Sequence, residues 1–450
     1  MQKRFKPIWL IPVFILLGVG IFFLLPVYYN KVLPRLEIWF LEDLKYRLQS
    51  PGQAVYQPEQ QSQVDLAVTQ MMQTHQATLT LEPITTSTPT PGPTLTPTIT
   101  PTPLPATVKW TDFRYEDQHN RWNYCGPANL SMALNFWGWD GNRDTVAKVV
   151  KPGVQDPKLD FIQQGRWDYN VMPYEMVDFV NEETEFGALY RLGGNVDLIK
   201  TMLAAGFPVI AEKGYYEKDY TGRTAWMGHY QFVTGYDDVS KGLIVQDTWN
   251  DGPNFRISYD DFMAGEAWLS FDYLFIVVYP LERESEVLDL LGPYADPRWA
   301  AQYALGVAED HISKTNDINS FFAWFAKGTN HVALQEYADA ANAYDQAFAI
   351  YNSIGKQDIL RPYRMMWFQT GPYWAYFYTG RYQDVIKLAD VTLTETISKP
   401  TLEESIYWRG QAKYMVGDTA GAIADYREAL RLHPNWSPAI QALQDLGVQP

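Results

Sequence analysis

The chain is poor in cysteine, with one residue of this type among 450. A single cysteine cannot form an internal disulfide and cannot build a thiolate metal cluster. Cys125 is therefore either a small buried hydrophobic residue or a reactive nucleophile. The absence of disulfides does not assign the chain to the cytosol, because a catalytic thiol is safer without a second thiol nearby.

Two further features are missing, and each excludes a class of function. The chain has 36 basic against 52 acidic side chains and a net charge of -16. Without a Lys/Arg-rich patch in its soluble part, this balance excludes nucleic acid as a partner. The chain also lacks the His-x-x-x-His and Cys-x-x-Cys spacings that are typical of transition-metal sites. The sequence therefore predicts no metal and no other cofactor.

The surroundings of Cys125 favour the nucleophile. It lies in Asn-Tyr-Cys-Gly-Pro-Ala-Asn, residues 123–129, directly before an apolar run over residues 130–137. Proline is tolerated in the first turn of a helix, so Pro127 predicts that Cys125 lies at the N-terminus of a buried helix. The free N–H groups and the dipole there lower a thiol pKa below about 8.5. The alternative is an inert thiol that fills a core.

A thiol nucleophile needs a base, and the chain offers few candidates. The six histidines are His75, His119, His229, His311, His331 and His433. Only His119 and His229 fall in the same region as Cys125, and His119, six positions upstream, is predicted to be a surface residue. His229 opens the strand-like run 228–236 and is predicted to be the base. A purely structural histidine is the alternative.

A carboxylate and an oxyanion donor complete the predicted site. A second strand, residues 242–247, follows a short turn, so its end returns towards the start of the first strand and brings Asp247 to His229. Asn250 is the main competitor for this orienting role. Gln118, seven positions before the cysteine, is the nearest side-chain amide for an oxyanion.

With these motifs the region from about 105 to 280 resembles papain-like cysteine peptidases of the bacteriocin-processing, double-glycine leader group. The similarity rests on Gln118, Tyr-Cys-Gly-Pro-Ala at 124–128, Gly-His-Tyr at 228–230 and Asp247. It implies an α+β fold, with a helical lobe carrying the nucleophile against a twisted antiparallel sheet. It also implies that Cys125 is the nucleophile, His229 the base, Asp247 the orienting carboxylate and Gln118 the oxyanion donor.

The N-terminal part predicts attachment to a membrane. Residues 8–29 are 22 residues without a charge, which is long enough to cross a hydrocarbon core of about 30 Å. Because no small-residue cleavage pattern follows, residues 1–30 are predicted to be an uncleaved anchor, with a buried soluble helix as the alternative. Residues 31–49 are predicted to form a juxtamembrane helix. Residues 50–106, rich in Thr and Pro, are predicted to be a disordered stalk that holds the next domain on the extracytoplasmic face.

The C-terminal part predicts a second kind of domain. Gly328, Ala340, Tyr344 and Ala347 have the same spacing as Gly410, Ala422, Tyr426 and Ala429. This pattern, with a degenerate middle copy whose second helix begins near Tyr382, resembles tetratricopeptide repeats. The resemblance implies an all-α solenoid that binds a protein or a peptide.

These observations predict a multidomain chain. The peptidase domain spans residues 107–281, connecting helices span 282–318, and the tetratricopeptide domain spans 319–450. The predicted function is that of a single-pass, membrane-anchored, extracytoplasmic cysteine peptidase that hydrolyses peptides or proteins through Cys125, His229 and Asp247. The first alternative is a non-catalytic surface scaffold or receptor, and the second is transfer of an acyl group instead of hydrolysis.

Overall fold

The computed structural model describes residues 50–58, 103–119, 121, 123–151, 170–218, 223–250, 252–354, 360–397 and 401–450, with isolated positions between 20 and 48. Most of the predicted anchor and most of the predicted stalk lie outside the described residues. A short helix, α1 (Leu33–Ile38), falls within the predicted juxtamembrane segment. In the described part of the chain, the helices are too short or too polar to cross a membrane.

One antiparallel sheet forms the centre of the N-terminal region. Its strands are β1 (Thr107–Lys109), β2 (Phe186–Arg191), β3 (Val209–Lys218), β4 (Thr224–Asp237), β5 (Gly242–Gln246), β6 (Phe255–Ser258) and β7 (Phe275–Pro280). They lie in the order β2-β7-β3-β4-β5-β6, and β1 pairs with the end of β4. The helices around the sheet are α2 (Cys125–Phe136), α3 (Arg143–Val150), α4 (Pro173–Glu183), α5 (Val196–Ala204) and α6 (Tyr259–Met263). The described part of this region is thus an α/β domain, in which helices pack around one antiparallel sheet, whereas the resemblance implied an α+β fold.

The central strand β4 is longer than the sequence predicted. Its pairing with β3 extends to Lys218 opposite Thr224, so residues 224–227 also belong to the ladder. His229 therefore lies within the strand and not at its start. The reason is that Trp226 and its neighbours pair with β3 as a regular hairpin before the predicted glycine boundary, and a glycine in a strand does not end it.

The C-terminal part, residues 282–450, is helical and is called the helical region below. Its helices are α7 (Glu284–Leu291), α8 (Pro297–Lys314), α9 (Ile318–Ala333), α10 (Tyr337–Ser353), α11 (Met365–Phe368), α12 (Gly371–Tyr378), α13 (Tyr382–Val391), α14 (Glu403–Met415), α15 (Thr419–Leu432) and α16 (Ser437–Asp445). Helix α13 begins at the predicted residue Tyr382.

The repeated glycines of the helical region lie where helices approach closely. A Cβ at Gly328 would lie 2.6 Å from the ring of Tyr344, and a Cβ at Gly410 would lie 2.8 Å from the ring of Tyr426. Both glycines therefore accept a tyrosine ring from the next helix, α9 from α10 and α14 from α15. The identical spacing in the sequence thus corresponds to the same packing contact in two helix pairs.

The structure differs from the prediction at the start of the stalk. Residues 50–58 pack against the helical region, where the buried ring of Tyr56 meets Phe348 at a centroid distance of 4.8 Å. Asn352 donates a hydrogen bond from Nδ2 to the carbonyl oxygen of Tyr56 at 2.8 Å, and Arg361 Nη1 donates to Gly52 O at 3.1 Å. The Tyr56 ring contact and these two hydrogen bonds hold the segment against the helical region, although composition alone assigned it to a disordered stalk.

The two halves of the chain share a hydrophobic core. The fully buried ring of Trp226 on β4 contacts Phe271 at 5.6 Å, Phe322 of α9 at 5.9 Å and Phe368 of α11 at 6.0 Å between ring centroids. Aromatic rings of this size dominate the burial of apolar surface in a core. The helical region is therefore packed against the sheet, whereas the sequence predicted a separate repeat domain.

Candidate active site

Cys125 is the first residue of α2, as predicted. Asn123, with a φ of 54°, turns the chain into the helix, and Ala128 N donates to Tyr124 O at 2.9 Å to close the first turn. A Cβ at Gly126 would lie 3.1 Å from the side chain of Val171, so the helix start is packed closely. The free N–H groups and positive dipole end of α2 surround the thiol, and both favour a negative charge there.

Asn129 joins the nucleophile's helix to the sheet. This fully buried side chain donates from Nδ2 to Cys125 O and to Tyr230 O, each at 2.8 Å. The two bonds fix the N-terminus of α2 next to the residue after His229. Sequence reasoning did not select Asn129, although a polar residue in an otherwise apolar helix, one turn after the cysteine, was the available signal.

The thiol of Cys125 and the His229 side chain lie close enough for a hydrogen-bonding interaction that affects both pKa values. Burial raises the pKa of the thiol. The interaction with His229 and its positive charge, together with the backbone groups of Tyr230 and Gly126, lower this pKa by more than burial raises it, so the net shift is downward. Cys125 is 6% exposed and His229 is 3% exposed, so water screens their interaction only weakly. This arrangement favours a thiolate beside an imidazolium.

Asp247 faces the other side of the imidazole. His229 Nε2 lies 3.3 Å from Asp247 Oδ2, in an ion-pair contact that lacks hydrogen-bond alignment. Burial lowers the pKa of His229, yet the charge of Asp247 and the contact with Cys125 raise it to about 10. Burial has the opposite effect on Asp247, whose pKa it raises. The charge of His229 outweighs this effect of burial, so the pKa of the Asp247 carboxyl lies far below its usual range. The contact through Nε2 leaves Nδ1 for the thiol.

The strand register explains why Asp247 reaches His229. Phe232 lies opposite Gln246, so Asp247 comes beside Gln231, and Gln231 shares a strand face with His229. Gln231 Nε2 donates to Asp247 Oδ2 at 2.6 Å. The predicted return of the hairpin is therefore present, and Gln231 is a support that sequence reasoning missed.

The turn after Asp247 fixes the carboxylate further. Its Oδ1 accepts hydrogen bonds from the backbone N–H groups of Trp249 at 2.8 Å and Asn250 at 2.9 Å. The Asn250 side chain points elsewhere, because its Nδ2 lies 3.4 Å from Glu217 Oε2. Asn250 therefore supports the orienting group through its backbone and does not replace it.

Gln118 lies beside the same turn. Its backbone N donates to Thr248 O at 2.8 Å, and its Oε1 accepts from Thr248 Oγ1 at 2.7 Å. With Oε1 held in this way, Nε2 is the donor end of the amide. His119 has a side chain that is 54% exposed and stacks on Trp249 with a centroid distance of 5.1 Å, which matches its prediction as a surface residue.

A buried glutamate near the thiol was not predicted. Glu212 on β3 lies opposite Tyr230 and is 1% exposed. Burial, and then the charge of Cys125, raise its pKa well above the usual range of a glutamate. A neutral acid in this position does not repel the thiolate. The signal was hidden because Glu212 lies in a separate strand, away from the cysteine and histidine motifs in the sequence.

The helical region also approaches the site. Arg364 Nη1 lies 3.4 Å from Trp226 O, and a Cβ at Gly228 would lie 3.1 Å from the ring of Phe368. Gly228 directly precedes His229, so α11 packs behind the strand that carries the base. In the described part of the chain, Cys125 and His229 do not belong to a group of side chains arranged to hold a metal ion.

A model of a known protein family matches the part of the chain that carries this site. Residues 110–274 match the model of the Peptidase_C39 like family. This part of the chain is a C39-like peptidase domain. The match supports a cysteine peptidase at the level of the family, and it confirms the predicted peptidase resemblance at that level. The repeat resemblance of the helical region stays a prediction.

Two solved structures are similar to the C39-like domain. One is a C39-like peptidase from Bacillus anthracis, with 15% identity and a TM-score of 0.30, covering 38% of this chain and 96% of that chain. The other is xylellain, a cysteine protease from Xylella fastidiosa, with 16% identity and a TM-score of 0.27, covering 40% of this chain and 87% of that chain. No curated protein matches the chain.

Proposed function

We propose that the chain is a membrane-anchored, extracytoplasmic cysteine peptidase that hydrolyses peptide bonds. The observation that carries this proposal is the contact of the lone thiol, at a helix N-terminus, with a buried imidazole that faces a carboxylate. Such a set supplies a nucleophile, a proton carrier and an orienting charge. A peptide or protein is the substrate class that the C39-like domain implies.

In the proposed reaction the Cys125 thiolate attacks the carbonyl carbon of a peptide bond. The oxyanion that forms accepts hydrogen bonds from Gln118 Nε2 and the backbone N–H of Cys125. The His229 imidazolium gives its proton to the leaving amine, and a thioester remains. His229 then takes a proton from water, whose oxygen attacks the thioester and releases a carboxylic acid and the thiolate. Asp247 stabilises the imidazolium and keeps its orientation.

Membrane anchoring and the extracytoplasmic location are proposed from the sequence. The uncharged stretch at residues 8–29 is the anchor, and the Thr/Pro-rich segment after residue 58 separates it from the C39-like domain. The helical region is proposed to bind a protein partner as a tetratricopeptide array. The equivalent contacts of Gly328 with Tyr344 and Gly410 with Tyr426 support that assignment.

The test compares the full chain with Cys125→Ala and with Asp237→Asn. Asp237 lies in the turn of the same hairpin and pairs with Arg256, so its variant is a matched control away from the thiol. A thiol-directed probe and a peptide library with mass-spectrometric detection are applied to all three. We expect labelling and hydrolysis in the wild type and the control, and neither in Cys125→Ala. Hydrolysis that persists in Cys125→Ala contradicts the proposal.

A non-catalytic scaffold is the second candidate, and the low exposure of the thiol and imidazole favours it. A scaffold needs no thiolate, so its Cys125 reacts with iodoacetamide only as an ordinary buried thiol, with a midpoint at or above pH 8.5. A peptidase reacts with a lower midpoint and turns over substrate. Mass spectrometry of the products also separates hydrolysis from acyl transfer, because transfer leaves an added amine on the new carbonyl end.

A further inference from the structure

A buried group of metal-ligating side chains lies between α4 of the C39-like domain and the helical region. Its members are Glu175 on α4, Glu403 at the start of α14 and His433 at the end of α15. One ligand atom of each lies within 4.8 Å of the other two. His433 Nδ1 is 3.1 Å from Glu403 Oε1 and 3.7 Å from Glu175 Oε1.

These separations suit a small divalent cation. With bonds of about 2.1 Å to nitrogen and oxygen, two ligands of one ion lie ~3.0 Å apart in an octahedron and ~3.4 Å apart in a tetrahedron. The two measured distances to His433 Nδ1 lie close to these values. One imidazole and two carboxylates form a donor set typical of Zn²⁺, whereas Mg²⁺ and Ca²⁺ prefer oxygen alone.

A carboxylate oxygen without a hydrogen bond is a second observation, independent of these distances, that favours a bound cation. Glu403 is 0% exposed, and its Oε2 has no hydrogen-bond partner among the described residues. Burying a carboxylate oxygen without a donor or a cation costs several kcal/mol. A positive ion at this carboxylate would remove that cost.

Other charged groups lie beside the candidate ligands. Three buried carboxylates meet here, on Glu175, Glu403 and Glu404, and the buried ammonium of Lys151 acts on Glu403. Glu404 is already hydrogen-bonded, since it accepts from Asn170 Nδ2 at 2.5 Å and from Tyr174 at 3.2 Å.

We propose that Glu175, Glu403 and His433 bind a divalent transition-metal ion of the Zn²⁺ type, and that this ion fastens the helical region to the C39-like domain. Glu175 supports the start of α4, where its Oε2 accepts from Met172 N at 2.7 Å. The neighbouring Val171 packs on Gly126 beside the thiol. The ion would therefore stabilise the same turn that supports the start of α2. The sequence predicted no metal because these ligands come from distant positions, 175, 403 and 433.

The test uses the full chain with Cys125→Ala, so that zinc cannot bind to the active-site thiol and be mistaken for this site. Metal is removed with EDTA, and Zn²⁺ binding is then measured by elemental analysis after dialysis, by calorimetric titration and by thermal unfolding. We expect one Zn²⁺ per chain and a rise of several °C in Tm. In the same background, Glu403→Gln is expected to weaken binding at least tenfold.

A matched control variant, and stability measured both in EDTA and in Zn²⁺, distinguish loss of metal binding from loss of folding. His331 belongs to the other candidate group, with Glu336 and Asp339, which is largely exposed, so His331→Gln is expected to leave the binding unchanged. In EDTA, Glu403→Gln is expected to be as stable as the parent or more stable, because a neutral amide costs less to bury than a carboxylate. In Zn²⁺ the order is expected to reverse. A parent protein that takes up no stoichiometric zinc, or a Glu403→Gln variant that binds it equally well, overturns the proposal. These readouts do not depend on peptidase activity.

Discussion

Replacing Asp247 by asparagine removes a charge from the site with little change in shape. The Asn side chain has the same size, and its oxygen can keep the backbone hydrogen bonds from Trp249 and Asn250. Its nitrogen then faces Gln231, whose Oε1 is buried without a hydrogen-bond partner among the described residues. A turn of the Gln231 amide supplies an acceptor, so we expect Asp247→Asn to fold.

The electrostatic consequence is large because the pair is buried. Asp247 helps to raise the pKa of His229 from 6.5 to about 10 against the effect of burial. At 1.36 kcal/mol per pKa unit, this preference for the imidazolium is on the order of 4 to 5 kcal/mol. Without the carboxylate, only the contact with Cys125 opposes the effect of burial, and the pKa of His229 falls. The thiol then loses its cationic partner, and its own pKa rises.

Iodoacetamide alkylation measured against pH reports this change directly. Cys125 is the only cysteine, so all alkylated thiol comes from the site. In the wild type we expect a midpoint below pH 8.5. In Asp247→Asn we expect a midpoint at least one pH unit higher, and a rate at pH 7 that is at least tenfold lower. Asp237→Asn is the control and is expected to behave as the wild type.

The same pair predicts how stability depends on pH. The raised pKa of His229 contributes stability that is complete below pH 6.5 and is lost as the pH rises through about 10. The lowered pKa of Asp247 contributes stability above pH 4 that is lost in more acidic solution. The stability deficit of Asp247→Asn is therefore expected to be largest between about pH 4 and 6.5 and to shrink towards pH 10. Coincident alkylation profiles, or a deficit that grows with pH, refute the reasoning.

Three further substitutions test the packing around the site. Asn129→Ala removes the amide that links α2 to β4, so a buried carbonyl oxygen loses its hydrogen-bond donor. This is expected to lower the free energy of unfolding, measured in urea, by about 2 kcal/mol. A loss below about 0.5 kcal/mol contradicts this prediction. Gly228→Ala places a methyl group 2.6 Å from a buried phenylalanine ring and is expected to cost about 1 to 3 kcal/mol in thermal unfolding. Gly306→Ala, which meets nothing within 4 Å in α8, should not cost stability, so equal effects argue against the contact. Arg381→Met leaves two buried carboxylates without their cation and is expected to lower the free energy of unfolding by about 3 to 5 kcal/mol. Lys314→Met breaks an exposed ion pair and is expected to lower it by less than about 1 kcal/mol.

Much of the candidate site was predictable because its signals are local. Gly126 and Pro127 mark a helix start in any fold, and they place Cys125 at a positive dipole end. The short turn between β4 and β5 forces the second strand back along the first, which brings Asp247 towards His229. The contact of His229 with Cys125 was predicted by elimination, since few histidines were available.

The supporting residues were not predictable, because their roles depend on contacts between distant segments. Gln231 and Glu212 lie in strands whose sequences carry no mark of a catalytic role, and only the strand register brings Gln231 to Asp247 and Glu212 opposite Tyr230. Composition also misled at residues 50–58, where one buried tyrosine and two hydrogen bonds fix a segment that belongs by composition to a stalk.

The amino-acid sequence by itself determined the position of the single thiol at a helix start, the hairpin with its carboxylate and the repeated glycine–tyrosine spacing, since each depends on residues a few positions apart or on counting a residue type. The tertiary structure alone decided that the helical region packs behind His229 and that Glu175, Glu403 and His433 meet in one buried group. The physical reason is that burial and charge compensation are properties of surfaces brought together in space, and a linear pattern does not contain the distance between them.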